Sequence, residues 1–84
     1  MGVQRERPQH LAAKLLAIRQ RMNASQSQLI ARLGRDLSTA RISEYESGAR
    51  IPSLLTLLAY AKAGRIRVEV LIDDSLSLPK LRSK

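Results

Sequence analysis

Apolar residues recur along this chain at spacings of three and four, the period of a helix with one buried face. Leu11, Leu15, Ile18 and Met22 form the first such stripe, and Pro8 stands near its start, where a first helical turn tolerates it. The polar stretch Asn23-Ala24-Ser25 interrupts it. Ser25 is suited to cap a second helix, "QSQLIARL", whose Leu29 and Leu33 lie four apart. Gly34 suits a left-handed close. Ser38 caps a third helix with Ile42 and Tyr45 facing inward, and Gly48 ends it. Pro52 forces Ile51 out of helical angles. Ser53 then caps "LLTLLAYAKAG", where Leu54, Leu57, Leu58 and Ala61 set the inward stripe and Gly64 the stop. "VEVLIDD" supplies one or two more turns through Val68, Leu71 and Ile72. Only "RIRVEV" alternates like a strand, and so short a piece makes no sheet alone. The pattern therefore predicts one all-α domain, a bundle of about five short helices over residues 8–74. Residues 1–7 and 79–84 read as disordered basic tails. Leu76, Leu78 and Leu81 have no evident core to join.

Composition narrows the chemistry. The chain has 84 residues, no Cys, no Phe, no Trp, two Tyr and one His. Its core is accordingly aliphatic. Disulfides, thiolate metal sites and a cysteine nucleophile are excluded, and His10 alone makes no histidine cluster. No cofactor and no metal site is expected. No apolar run reaches the length of a membrane span, so no membrane partner is expected either. The start, "MGVQRERPQH", is too charged for a signal peptide, and Glu6 breaks the myristoylation pattern that Gly2 begins. A cytoplasmic location is the expectation. The seven carboxylates form no paired arrangement and no nucleophile–base set is present, so enzymatic activity is not expected. Asp73-Asp74 reads as a helix end rather than a metal site.

Charge points to a partner. Fifteen Lys and Arg against seven Asp and Glu give +8. The excess is spread, +4 over residues 1–24 and +2 over each of 25–64 and 65–84. A polyanion is the natural match, through phosphate neutralisation and release of counterions.

Two short helices joined by a glycine-containing turn have the form of a helix-turn-helix. Here "ASQSQLIARLG…STARISEYESGARIPSLLTLLAYAKA" resembles the phage-repressor type of that motif, the xenobiotic-response-element (XRE) family of transcriptional regulators. The matching marks are Ser25-Gln26, Leu29, Ala31, Leu33-Gly34, Ser38, Ile42-Ser43, Glu46, Gly48, Arg50, Pro52-Ser53, Leu57-Leu58 and Ala61, and the likeness spans about residues 11–73. It implies a lambda-repressor-like domain, with its third helix in the major groove of double-stranded DNA, and an Arg19–Glu46 pair of structural purpose. Two departures stand out. The turn "GRDLS" is two residues longer than usual, with Leu37 placed to tuck under it, and Gly64-Arg65 replaces a usual Leu-Gly pair. The second predicts a shorter fourth helix lacking one buried leucine.

The candidate site residues follow from position and chemistry together. The start of a helix favours an anion, and Gln26 stands there. Ser43 and Arg50 join it as phosphate contacts, as does Arg35 in the turn unless it pairs with Asp36. Opposite Ile42 and Tyr45, the outward positions of the third helix are Thr39, Ala40 and Glu44, where the family places its base readers. Ala40 can pack on a thymine methyl, Thr39 offers hydroxyl and methyl, and Glu44 can accept from a cytosine amino group. Arg41 adds a long donor for guanine or phosphate. Alternatively, Glu44 pairs with Arg41 three residues back. The function expected is a sequence-specific DNA-binding regulator, a repressor acting as a homodimer because one short helix reads few bases. An antitoxin or a protein-binding adaptor with the same fold, holding a toxin or other protein, is the alternative.

Overall fold

The structure, a computed structural model, describes residues 7–79. Most of both expected tails, Leu81 included, lies outside the described residues. At their edges, the Arg7 guanidinium donates to the carbonyl of Gly48 at 3.3 Å, and Arg21 donates to the carbonyl of Pro79. Five helices follow in order: α1 (Leu11–Arg21), α2 (Gln26–Leu33), α3 (Thr39–Ser47), α4 (Leu54–Gly64) and α5 (Val68–Ile72). No strand occurs among the described residues. The fold is all-α, as the periodicity predicts.

Local chemistry sets most boundaries. The hydroxyls of Ser25, Ser38 and Ser53 accept from the N–H groups of Gln28, Arg41 and Thr56, each satisfying an otherwise orphaned donor. Gln28 returns a bond from its side chain to the Ser25 N–H, which completes a capping box. Gly34 and Gly48 close α2 and α3 in the left-handed region, at φ 67° and 84°. Helix α1 starts differently from expectation. Pro8 lies before it rather than in its first turn, and its N-cap, His10, makes no side-chain bond. The Asp74 carboxylate takes over that task from across the fold, accepting from the N–H groups of Gln9 and His10 at 2.8 and 3.1 Å. Those two bonds hold the Asp74 carboxyl below the usual range.

The core is assembled from every helix, with Leu15, Leu29, Ile42, Tyr60 and Leu71 all fully enclosed. Each such side chain contributes roughly 1.5–3 kcal/mol by leaving water. Helix α1 packs on α3, α4 and α5, and α4 also packs on α2 and α5. Leu37 is half-buried under the long turn, as expected, and Leu78 folds back onto the core. The expected inward stripe of α4 needs correction. Leu57 and Ala61 are buried, but Leu54 is 81% exposed and Leu58 is also exposed, while Tyr60 and Thr56 turn inward. Spacing could not decide this, because α4 is apolar around most of its circumference. Ile72 of α5 is likewise exposed. Tyr60 meets Tyr45 edge to face, with ring centroids 6.5 Å apart. Its hydroxyl is buried without a hydrogen-bond partner among the described residues, and that burial raises its pKa well above the usual tyrosine range.

Helix α4 ends at Gly64, as expected, but the left-handed cap falls to Arg65 at φ 57° rather than to the glycine. A Cβ on Gly64 would stand 3.3 Å from Ile18 Cγ2. Ile18 therefore packs closely against the bare Cα of Gly64. Lys14 was not foreseen at all. It is buried within the α1 stripe, and its ammonium donates to the carbonyls of Val70 and Asp73 at 2.7 and 3.1 Å. A cation therefore closes the carbonyl end of α5, where the helix dipole is negative.

Candidate nucleic-acid interface

The start of α2 and the outer face of α3 form one surface. Ile42 and Tyr45 anchor the inner face of α3 in the core, so helical geometry turns Thr39, Ala40 and Ser43 outward, and all three are exposed. Arg41 and Glu44 lie beside them, each roughly half exposed. The first N–H groups of α2 have no acceptor within the helix, and they open beside Gln26.

A polar network fixes α2 against α3. Gln26 donates from Nε2 to the Ser43 hydroxyl at 3.0 Å and more weakly to Glu46 Oε1 at 3.4 Å. Glu46 in turn takes two parallel bonds from Arg19 of α1, at 2.6 and 3.0 Å. Arg19 also donates to the carbonyl of Ala24, just ahead of α2. The hydrogen bond to Glu46, with its charge, raises the Arg19 pKa. The pair implied by resemblance is therefore present and bidentate, the stronger form of ion pair. It sets the angle of three helices around the surface. Gln26 is engaged by both its neighbours, so donation to a phosphate requires it to release one of them, and the 3.4 Å contact is the weaker.

A second network covers the exposed half of α3. Oε1 of Glu44 accepts from Nε of Arg41 and from Nε of Arg50, both at 3.1 Å. The Arg50 N–H also returns to the Glu44 carbonyl, which folds the segment after Gly48 against α3. The alternative pairing of Glu44 with Arg41 is thus present, and Arg50 shares it. Spacing along the helix revealed the first partner, but the second arrives only through the turn at Gly48.

The structure brings Gln26, Thr39, Ala40, Arg41, Ser43, Glu44 and Arg50 onto this surface. Arg35 follows the C-terminal end of α2 and borders a groove with Leu55, Leu58 and Lys62 of α4. Asp36 lines a separate hollow with Leu37, Ser38 and Arg41, and no ion pair joins it to Arg35 among the described residues. The described residues hold no cluster of three or more potential metal ligands and no helix long and apolar enough to cross a membrane.

Comparison with known proteins agrees with this geometry. No curated protein matches the chain. Among solved structures, the chain is similar to the P22 c2 repressor, crystallised with synthetic operator 9T in the presence of Tl+. The two share 25% identity at a TM-score of 0.68, over 76% of this chain and 94% of the other. A family model described as helix-turn-helix matches residues 15–71, from the α1 stripe to the buried Leu71 of α5. With α2 and α3 set at a fixed angle by the Arg19–Glu46–Gln26–Ser43 network, the chain belongs to the helix-turn-helix family of the XRE, phage-repressor type.

Proposed function

We propose that the chain is a sequence-specific DNA-binding transcriptional regulator, a repressor that inserts α3 (Thr39–Ser47) into the major groove. The observation that carries this reading is the surface of α3. Its large apolar side chains, Ile42 and Tyr45, are committed to the core, while Thr39, Ala40, Ser43 and the Arg41–Glu44–Arg50 cluster stand out from it. The net charge of +8 supports a polyanionic partner, and the similarity to a repressor seen with its operator supports DNA.

Roles follow from chemistry. Gln26 at the start of α2, Ser43 on α3 and Arg50 after α3 suit phosphates of the strands beside the groove. Thr39 and Ala40 suit a thymine methyl, Arg41 a guanine edge and Glu44 a cytosine amino group. Arg35, in the turn before α3, is proposed as a further phosphate contact. The active species on DNA is a homodimer reading two half-sites about 34 Å apart. Selection from a random duplex pool should return a two-fold related sequence, and light scattering on that duplex should give two chains per site. No enrichment over the starting pool would overturn DNA reading. A single chain on a site without symmetry would overturn the dimer alone.

A further inference from the structure

Helix α4 is apolar on the side that faces solvent. Its inner face is complete, with Thr56, Leu57, Tyr60 and Ala61 buried. Yet Leu54 and Leu55 are 81% and 63% exposed, and Leu58 is exposed beside them. These are three of the six large apolar side chains exposed among the described residues. The only charged residue in "LLTLLAYAKAG" is Lys62. A helix apolar all round is ordinarily buried all round, so this face is built to be covered.

The surroundings select the occupant. Leu55, Leu58, Ala59 and Ala63 floor a groove whose rim carries Arg32, Arg35 and Lys62. Neither α2 nor α4 contains an acidic residue. A second copy of this chain laid on the groove would bring two such basic rims together. Residues 80–84, "KLRSK", carry three cations and no acid, so their charge does not complement this rim. A nucleic acid would match the rim but gain nothing from the leucines. The remaining match has apolar side chains for the floor and carboxylates for the rim.

We infer that the outer face of α4, with the adjoining end of α2, docks an acidic amphipathic helix of another protein. Such a helix lays its apolar stripe in the groove, and its flanking carboxylates meet Arg32, Arg35 and Lys62. This surface does not include α3 or the start of α2, so the inference stands apart from DNA reading. It also gives Arg35 a second partner, besides the phosphate that its position in the turn suggests.

The test uses the full chain and two synthetic helical peptides. Both carry leucine along one face; one has glutamate flanks and the other lysine flanks. Fluorescence anisotropy should show binding of the glutamate peptide only, weakening with added salt. Amide shifts in NMR spectra should cluster in residues 32–35 and 54–63. Leu55→Gln and Leu58→Gln should each weaken binding about tenfold or more, as expected when one leucine loses its cover. Arg32→Glu with Arg35→Glu should abolish it. These side chains are exposed, so circular dichroism should show an unchanged fold, and Leu55→Gln should leave DNA affinity unchanged. Absence of binding, equal binding of both peptides, or shifts centred on α3 would overturn the inference. So would concentration-dependent self-association that Leu55→Gln and Leu58→Gln abolish, because the occupant would then be a second copy.

Discussion

Glu44→Gln probes the exposed cluster on α3 with the smallest possible change. One carboxylate oxygen holds Arg41 and Arg50 at 3.1 Å each, and all three side chains are roughly half exposed. Exposed pairs of this kind contribute about 0.2–1 kcal/mol each, so the variant should lose at most about 1–2 kcal/mol and stay folded. The effect on binding to DNA of random sequence should be of opposite sign. The cluster carries two guanidinium charges and one carboxylate, and the amide leaves both cations uncompensated. On a duplex of random sequence the slope of log affinity against log salt should steepen by about 0.9. Between about 50 and 200 mM salt that amounts to a further loss of roughly threefold relative to wild type. On the selected site, preference at one base pair should fall by about 1–3 kcal/mol if Glu44 accepts from a cytosine. Anisotropy titrations on both duplexes across a salt series measure the two effects separately. An unchanged slope on the random duplex would refute the reasoning, since it would mean that the cluster lies outside the phosphate field.

Arg50→Ala should weaken binding to all sequences about equally and flatten the salt slope by roughly one ion, whereas Gln26→Ala should weaken binding equally without changing the slope. Lys14→Met should lower stability by about 2–3 kcal/mol by leaving the Val70 and Asp73 carbonyls without their cation, and a thermal melt should fall by roughly 10 °C or more. The pH dependence is set partly by Asp74. Its folded pKa lies below the unfolded value, so its contribution is complete above about pH 4 and disappears as pH falls through the folded pKa. Urea midpoints measured from neutral to acid pH should therefore fall less steeply in Asp74→Asn than in wild type.

What the sequence disclosed, and what it hid, divides by range. Ser25, Ser38, Ser53, Gly34 and Gly48 act on backbone within a few residues of themselves, so their roles could be assigned from type and position. Ile42 and Tyr45 likewise fix which side of α3 faces outward. Lys14 and Asp74 looked like surface charges because their partners lie 56 and 65 residues away in sequence. Gly64 ends α4 as its type suggested, but it also packs against Ile18, and the left-handed cap falls to Arg65. In α4 the period was legible and the buried arc was not, since leucines occupy both sides. The same ambiguity that misplaced Leu54 and Leu58 marks the surface we assign to a protein partner. At the interface, the bond from Gln26 to Ser43 depends on how α2 meets α3, which no single helix records.

The central claim is that α3 reads bases, and parallel binding-site selections on wild type and single variants test it most directly. Thr39, Ala40, Arg41 and Glu44 are then each replaced, Ala40 by Ser and the others by Ala, with Ile42→Ala as the control for the core. Ile42 is fully buried, so its truncation should cost about 2–5 kcal/mol and lower the melting point while leaving the preferred sequence unchanged in the folded fraction. The four outward variants should stay folded, losing far less stability than Ile42→Ala, and shift preference at defined base pairs. A shift from Arg41→Ala with none from Glu44→Ala would mean that the long turn has rotated α3 from the family register. Unchanged preference in all four would contradict base reading by α3 and leave "STARISEYESG" a cap on the core.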